Sequence, residues 1–394
     1  MTQSELISDT AGAIAALAIR LQGCLLTAGE QGAKAAYEAL VCSLHGDTCL
    51  TALTDDEPTV AAWLKDLNPD CSTRILSVPQ GSLMDSKAWM RDAFLTATLD
   101  GKKTYLRPTI SKGGGEEADW LAAADGTPVV DMPYIALDGG DCIVGPGYRL
   151  IGARAVDNTS KIVRYGFNQR LAMAELTRLD SRQLFQVGYR LKDVRNKALW
   201  FIERFQLDHL SLSADVGEHW LEVLQGSDPC AAAAAIVEMD QNKLYQDWAH
   251  IDLVVASTGR KRDEKDLLLV ASVILSANPT MSEIIQADCL DALAIYLRDE
   301  CGFAIIRTVS PYIPMPGGPL WYNNVLVQSE PPIVWLPAFG SDPRYRQFDA
   351  SNQAIWEMLG FEVRPVSGWL AFAPDSGSIR CATNVTERRG HTRT

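Results

Sequence analysis

A mixed α/β (α+β) fold is predicted for this chain, and three observations predict it. Segments of strand length alternate with helical patterns along most of the sequence. Hydrophobic residues make up 47% and charged residues 22%, the balance of a globular protein with a sizeable core. Turn signals stand between the segments: Asp100-Gly101, Gly145-Pro146-Gly147 and Gly360.

In chain order, residues 1–68 read as an N-terminal helical region. Ile14, Leu17, Ala18 and Leu21 repeat at helical spacing, and Ala35–Leu44 and Val60–Leu67 continue the pattern. After Asn68-Pro69-Asp70 the texture changes, and 69–394 is read as a second domain. Arg74–Val78 reads as its first buried strand. Ala93–Thr98 and Lys103–Pro108 form a hairpin about Asp100-Gly101, and Ile143–Ala155 another about Gly145-Pro146-Gly147. Residues 160–240 look helical and read as an insertion. Strand-like Leu244–Val255 and Leu267–Leu275 flank a charged turn at Gly259–Asp266. A helix at Met281–Cys301 leads to strand Phe303–Thr308. Beyond the loop Pro311–Pro319, strand Ile333–Ala338, helix Arg344–Leu359 and strand Phe361–Val366 follow. No sequence repeat of fixed period is visible.

Composition excludes several classes. A formal net charge of -13 leaves no basic surplus to neutralise phosphates, so no nucleic-acid partner is expected. Such a field attracts cationic substrates. Glu5 and Asp9 stand where a signal peptide would carry basic residues, and no run is apolar enough to span a membrane. Nine scattered cysteines fit free thiols in a reducing compartment, so the expected location is the cytoplasm. Lys112–Glu117 is glycine-rich but lacks the Gly-Lys-Ser/Thr ending of a phosphate loop, and no nucleotide cofactor is expected. Cys42, His45 and Cys49 have metal-like spacing without a fourth ligand nearby, and helix packing is the preferred reading.

Four residues form a chemical set: Asp92, His250, Asp252 and Cys381. Cys381 follows a cation, Arg380, after a glycine-containing turn, and a neighbouring positive charge favours the reactive thiolate. In His250-Ile251-Asp252, read as strand, the two polar side chains share one face. Each residue has a plain structural alternative, such as a turn cap, a core histidine or a strand-end charge. Together they suit chemistry on a guanidinium group. Two carboxylates grip the planar cation, a thiolate attacks its central carbon, and a histidine moves protons.

Three segments resemble the guanidino-group-modifying enzymes of the pentein fold, most closely the catalytic domain of protein-arginine deiminases. Trp89-Met90-Arg91-Asp92 is similar to that family's Trp-x-x-Asp. Leu244-Tyr245-Gln246-Asp247-Trp248 with His250-Ile251-Asp252 is similar to its Leu-Tyr-x-Asp-Trp and His-x-Asp. Gly377 to Val385 is similar to its Gly-x-x-x-Cys-x-Thr-Asn-Val. Weaker agreement lies in Leu137-Asp138-Gly139-Gly140 and Pro337-Ala338-Phe339. The resemblance implies a five-bladed α/β propeller with the active site at its centre. It makes Cys381 the nucleophile, His250 the acid/base and Asp92 and Asp252 the guanidinium ligands. Trp89 would line the slot for the substrate's stem, with Arg380 beside the substrate. Calcium-dependent animal members carry acids where this chain has Ala93 and Leu253, and a histidine where it has Arg380, so Ca²⁺ is not expected to be required.

The expected activity is conversion of an arginine-like guanidinium to its ureido product with release of ammonia. Peptidyl arginine is the first substrate expected and free arginine or agmatine the second. Amidino transfer to an amine is a third outcome of the same intermediate. The rival from another class is a non-catalytic binding scaffold, which predicts erosion of the catalytic set. Here all four positions are filled.

Overall fold

The computed structural model describes residues 4–26, 31–80, 82–83, 89–108, 115–194, 242–277, 279, 281–313, 318–375 and 377–390. Among them one unit recurs five times: two antiparallel strands, a helical crossover, and a third strand parallel to the second. In the first unit β5 (Leu95–Leu99) and β6 (Lys102–Pro108) are followed by α4 (Glu116–Asp125) and β7 (Val129–Met132), with β1 (Glu5–Leu6) added beside β5. The second joins β8 (Cys142–Val144) and β9 (Tyr148–Gly152) through α5 (Ala153–Ser160) and α6 (Gln169–Thr177) to β10 (Gln183–Val187). After the short pair β11 (Tyr189–Arg190) and β12 (Leu244–Tyr245) comes the third: β13 (Val255–Arg262), β14 (Lys265–Ile274), α7 (Met281–Asp299) and β15 (Ala304–Pro311). The fourth is β16 (Leu326–Ser329), β17 (Pro332–Pro337), α8 (Arg346–Met358) and β18 (Glu362–Val366).

The fifth unit uses both ends of the chain. The last strand, β19 (Thr383–Arg389), pairs antiparallel with β2 (Ala13–Arg20), starting at Thr383 opposite Ile19. The chain then passes through α1 (Gly23–Leu26) and α2 (Gln31–Ser43) to β3 (Cys49–Thr54), parallel to β2. It continues through α3 (Glu57–Leu67) to β4 (Ser72–Ser77), parallel to β3. The sequence boundary expected at 68–69 thus falls between two neighbouring strands of one sheet.

Local chemistry explains where elements start and stop. Asp56 accepts a hydrogen bond from the Thr59 amide and caps α3, with Pro58 in the first turn. Asp100 and Gly101, both at positive φ, make the two-residue turn between β5 and β6. The largest apolar cluster packs Tyr37, Trp335, Trp356 and Trp369 between the fourth and fifth units. Among the described residues no helix is long and apolar enough to cross a membrane.

Several sequence expectations need correction. Ala13–Arg20 is a strand, not a helix. Lying between β19 and β3, it is buried along nearly its whole length, so its apolar residues lose the strand alternation and coincide with helical spacing. The N-terminal helical region is therefore strands and helices interleaved. Arg74–Val78 is a strand, but an edge one with mostly exposed side chains. The region read as a helical insertion contains β10, an integral strand beside β9, and its portion at 195–241 lies outside the described residues. Residues 259–262 belong to β13, and the turn contracts to Asp263-Glu264, both at positive φ. Residues 112–114 of the glycine-rich loop also lie outside the described residues, and Glu116 already begins α4.

Candidate active site

Each unit is entered through a short turn, and these turns carry the candidate residues. Met90–Asp92 forms a 3-10 turn just before β5, Gly139–Asp141 another before β8, and Ile251–Leu253 a third before β13. Asn323-Asn324 precedes β16, and α9 (Ile379–Ala382) leads into β19. His250-Ile251-Asp252 is thus not the strand expected. His250 is extended and Asp252 lies in the 3-10 turn, which brings both into one pocket.

All four side chains are buried: Asp252 is 0% exposed, Cys381 4%, Asp92 5% and His250 7%. The Cys381 thiol, a His250 ring nitrogen and an Asp252 oxygen lie within 4.8 Å of one another. Sγ is 3.9 and 3.8 Å from the two Asp252 oxygens. His250 Nε2 stands 3.3 Å from Asp138 Oδ2, and Nδ1 stands 3.8 Å from Asp92 Oδ2. Asp92 Oδ1 accepts from the Gly140 amide at 3.1 Å. Asp141 Oδ1 accepts from the Ile251 amide at 3.1 Å and from Gln246 at 2.7 Å, pinning the turn that carries His250. Gly140 is required by close approach, since a Cβ there would meet the His250 ring at 2.6 Å.

Asn324, fully buried, organises the turn that carries Cys381. Its Oδ1 accepts from the amides of Ser378 and Cys381, each at 3.1 Å, and its Nδ2 donates to Cys381 Sγ at 3.1 Å. A donor aimed at sulfur favours the thiolate. Replacing Asn324 with alanine is expected to lower kcat about 10- to 100-fold, the scale of a hydrogen bond to a charged group. Steady-state kinetics checks this, with thermal melting to confirm folding.

Trp89 packs on Phe372 with ring centroids 5.7 Å apart, and its ring lies where a Gly377 side chain would stand. Arg380 does not act as a free cation beside the thiol. Its Nη1 donates to Asp252 Oδ2 at 2.6 Å, and its Nη2 to Asp9 Oδ2 at 3.0 Å and to the Cys142 carbonyl at 2.8 Å. Asp9 is also 3.4 Å from Arg91.

Burial dominates the electrostatics. It pushes the Cys381 thiol up to about 11, Asp252 adds to the rise, and His250 opposes it. Burial alone would lower the pKa of His250, but Asp92, Asp138, Cys381 and Asp141 hold its proton well above the ordinary value. Burial raises Asp92 as well, against His250. A neighbouring cation was expected to favour the thiolate, but the one that does so is His250.

His250, Asp252 and Cys381 are close enough to hold a metal ion, yet the Arg380 guanidinium already sits on the Asp252 carboxylate. Ala93 and Leu253, where calcium-dependent animal enzymes carry acids, are buried and apolar and offer no carboxylate ligands to Ca²⁺. Cys42, His45 and Cys49 do not form a ligand group among the described residues.

Sequence reasoning placed Asp92, His250, Asp252 and Cys381 together, and they meet. It missed Asp9, Asp141 and Asn324, and noted Asp138 only within a weak motif. For Asp138, Asp141 and Asn324 the available signal was positional, a polar residue just before the first strand of a unit; Asp9, which precedes the second strand of the fifth unit, carried none.

The fold is shared with solved agmatine deiminases. A C. jejuni agmatine deiminase matches with a TM-score of 0.60 and 11% identity, over 97% of this chain and 95% of that one. An Enterococcus faecalis agmatine deiminase, described as catalysing its reaction, matches with a TM-score of 0.62 and 10% identity over the same shares. The sequence matches no family model and no curated protein.

Proposed function

We propose that this protein is a thiol-dependent hydrolase of a small guanidinium compound, with agmatine as first substrate. One observation carries the reading: a thiol, a histidine and two buried carboxylates converge at the entrances of separate units. The five units serve as the blades of the expected five-bladed propeller, with this pocket at its centre.

In this reading Asp92 and Asp252 hold the substrate guanidinium, and Trp89 lines the slot for its stem. The Cys381 sulfur bonds to the guanidinium carbon, giving a tetrahedral adduct. The carbon–nitrogen bond then breaks as His250 gives a proton to the departing nitrogen, releasing ammonia and leaving a thiouronium. Water attacks that carbon while His250 takes one of its protons. The carbon–sulfur bond then breaks to return the thiolate and a ureido product, as the remaining hydroxyl proton leaves with the released ammonia as ammonium or to solvent. The substrate's own positive charge beside sulfur lowers the raised thiol pKa, so binding activates the nucleophile.

The small guanidine is placed ahead of peptidyl arginine, reversing the order expected from sequence. Matches over nearly the full length to agmatine deiminases support this. Agmatine is placed ahead of free arginine because the guanidinium groups of Arg91 and Arg380 are both engaged by carboxylates and carbonyls. Neither is left to pair with a substrate carboxylate.

A colorimetric ureido assay with agmatine, free arginine and a blocked arginine peptide, each with and without Ca²⁺, tests the proposal. Product is expected from agmatine at a rate that Ca²⁺ does not change. Turnover of the peptide alone would restore the peptidyl reading, and silence on all three would remove simple hydrolysis.

A further inference from the structure

The two carboxylates assigned to the substrate are not equivalent. Asp92 accepts a hydrogen bond from a backbone amide and faces His250, and among the described residues no guanidinium is bonded to it. Asp252 already holds one, Arg380 Nη1 at 2.6 Å on Oδ2. That guanidinium is fixed from behind by Asp9 at 3.0 Å and by the Cys142 carbonyl at 2.8 Å, and is only 6% exposed. Asp9 is itself anchored by the Val144 amide at 2.7 Å. A chain of contacts therefore runs from the second unit through Asp9 and Arg380 to Asp252, and ends 3.8 Å from the nucleophile.

We infer that Arg380 is a positioning residue that acts through Asp252, and not a substrate contact. It fills one carboxylate oxygen, fixes the plane of the carboxylate, and leaves Oδ1 for the substrate guanidinium. A carboxylate has about four acceptor sites, so a held Asp252 can still bind substrate. The arrangement also sets the field at the sulfur. The charged or polar groups facing Cys381 are Asp252 and His250 from the turn before β13, Asp92 from the turn before β5, and Asn324 before β16. Arg380 compensates the carboxylate nearest the sulfur. Without it, Asp252 would face the thiol as an uncompensated negative charge. The inference rests on the proposed role of Asp252.

Arg380→Ala separates this role from substrate contact. A positioning role predicts that kcat falls at least ~30-fold while KM stays level or drops, because Asp252 is freed for substrate but misaligned. Guanidinium chloride at millimolar concentration should enter the vacated space and restore part of the loss, while inhibiting the unmodified enzyme. A KM that rises with kcat unchanged would overturn the inference, since Arg380 would then touch substrate.

A second readout needs no substrate. Alkylation of Cys381 by iodoacetamide at pH 9 should slow about tenfold or more in Arg380→Ala, recover with guanidinium, and be intermediate in Arg380→Lys. If no guanidine is turned over but alkylation behaves this way, the proposed reaction fails and the Arg380–Asp252 coupling stands. Alkylation unchanged in Arg380→Ala would remove the coupling whatever the substrate. Should Arg380→Ala not fold by circular dichroism, Asp9→Asn loosens the same guanidinium from behind and should slow alkylation in the same direction. An unchanged rate there would equally overturn the inference.

Discussion

Serine in place of Cys381 is expected to lower ureido formation by at least ~10⁴-fold, the scale of losing a covalent nucleophile, with little change in melting temperature. The hydroxyl fits the space of the thiol and can keep the hydrogen bond from Asn324 Nδ2. It has no accessible anionic form in a pocket where even the thiol is held up at about 11. The same displacement gives a pH signature. In the free enzyme Cys381 is protonated at neutral pH, so inactivation by iodoacetamide should climb about tenfold per pH unit from 7 to 10. The profile of kcat reports the enzyme–substrate complex, where a bound guanidinium has partly cancelled Asp92 and Asp252. Its alkaline-rising limb should therefore lie well below that of alkylation. At higher pH kcat falls as His250, held protonated by its carboxylates, loses the proton it must donate. Coinciding limbs for alkylation and kcat would contradict activation of the thiol by the substrate.

What was legible in the sequence follows from how much of each signal is local. Strands joined by a defined turn, such as β5 and β6 about Asp100-Gly101, could be read directly. The Ala13–Arg20 strand could not. It pairs with strands from opposite ends of the chain and packs into a core on each face, and no local pattern records a partner more than 360 residues away. The recurring unit was hidden for a related reason. Its five copies share strand order and direction but not residues, since each needs only an apolar pair, a crossover and a polar entrance.

The site divided along the same line. Cys381, His250, Asp92 and Asp252 were found because their residue types and order carry chemistry. Asn324 and Asp9 act through contacts across long separations, 57 residues to Cys381 and 371 to Arg380, and an isolated asparagine or aspartate carries no mark of that. Arg380 was misread for a similar reason. Adjacency to Cys381 in sequence suggested that it serves the thiol, whereas its guanidinium reaches over to Asp252 and Asp9.

On the proposed reading, Asp252 already shares an oxygen with Arg380, so the burden of holding the substrate would fall on Asp92, and Asp92→Asn should be correspondingly costly. The amide keeps the shape and can still accept from Gly140, but it replaces one acceptor with a donor facing the donors of a guanidinium. Breaking a buried, hydrogen-bonded charge pair costs about 2–5 kcal/mol, or roughly 30- to 5000-fold in kcat/KM. The change also removes a carboxylate that helps keep His250 protonated. The alkaline fall of kcat, set by loss of the His250 proton, should therefore move to lower pH in the variant. A loss confined to KM with that limb unmoved would mean that Asp92 binds substrate without tuning the histidine. Unchanged kcat/KM would exclude Asp92 as the main guanidinium ligand, and the burden would return to Asp252, where Arg380 already competes for it.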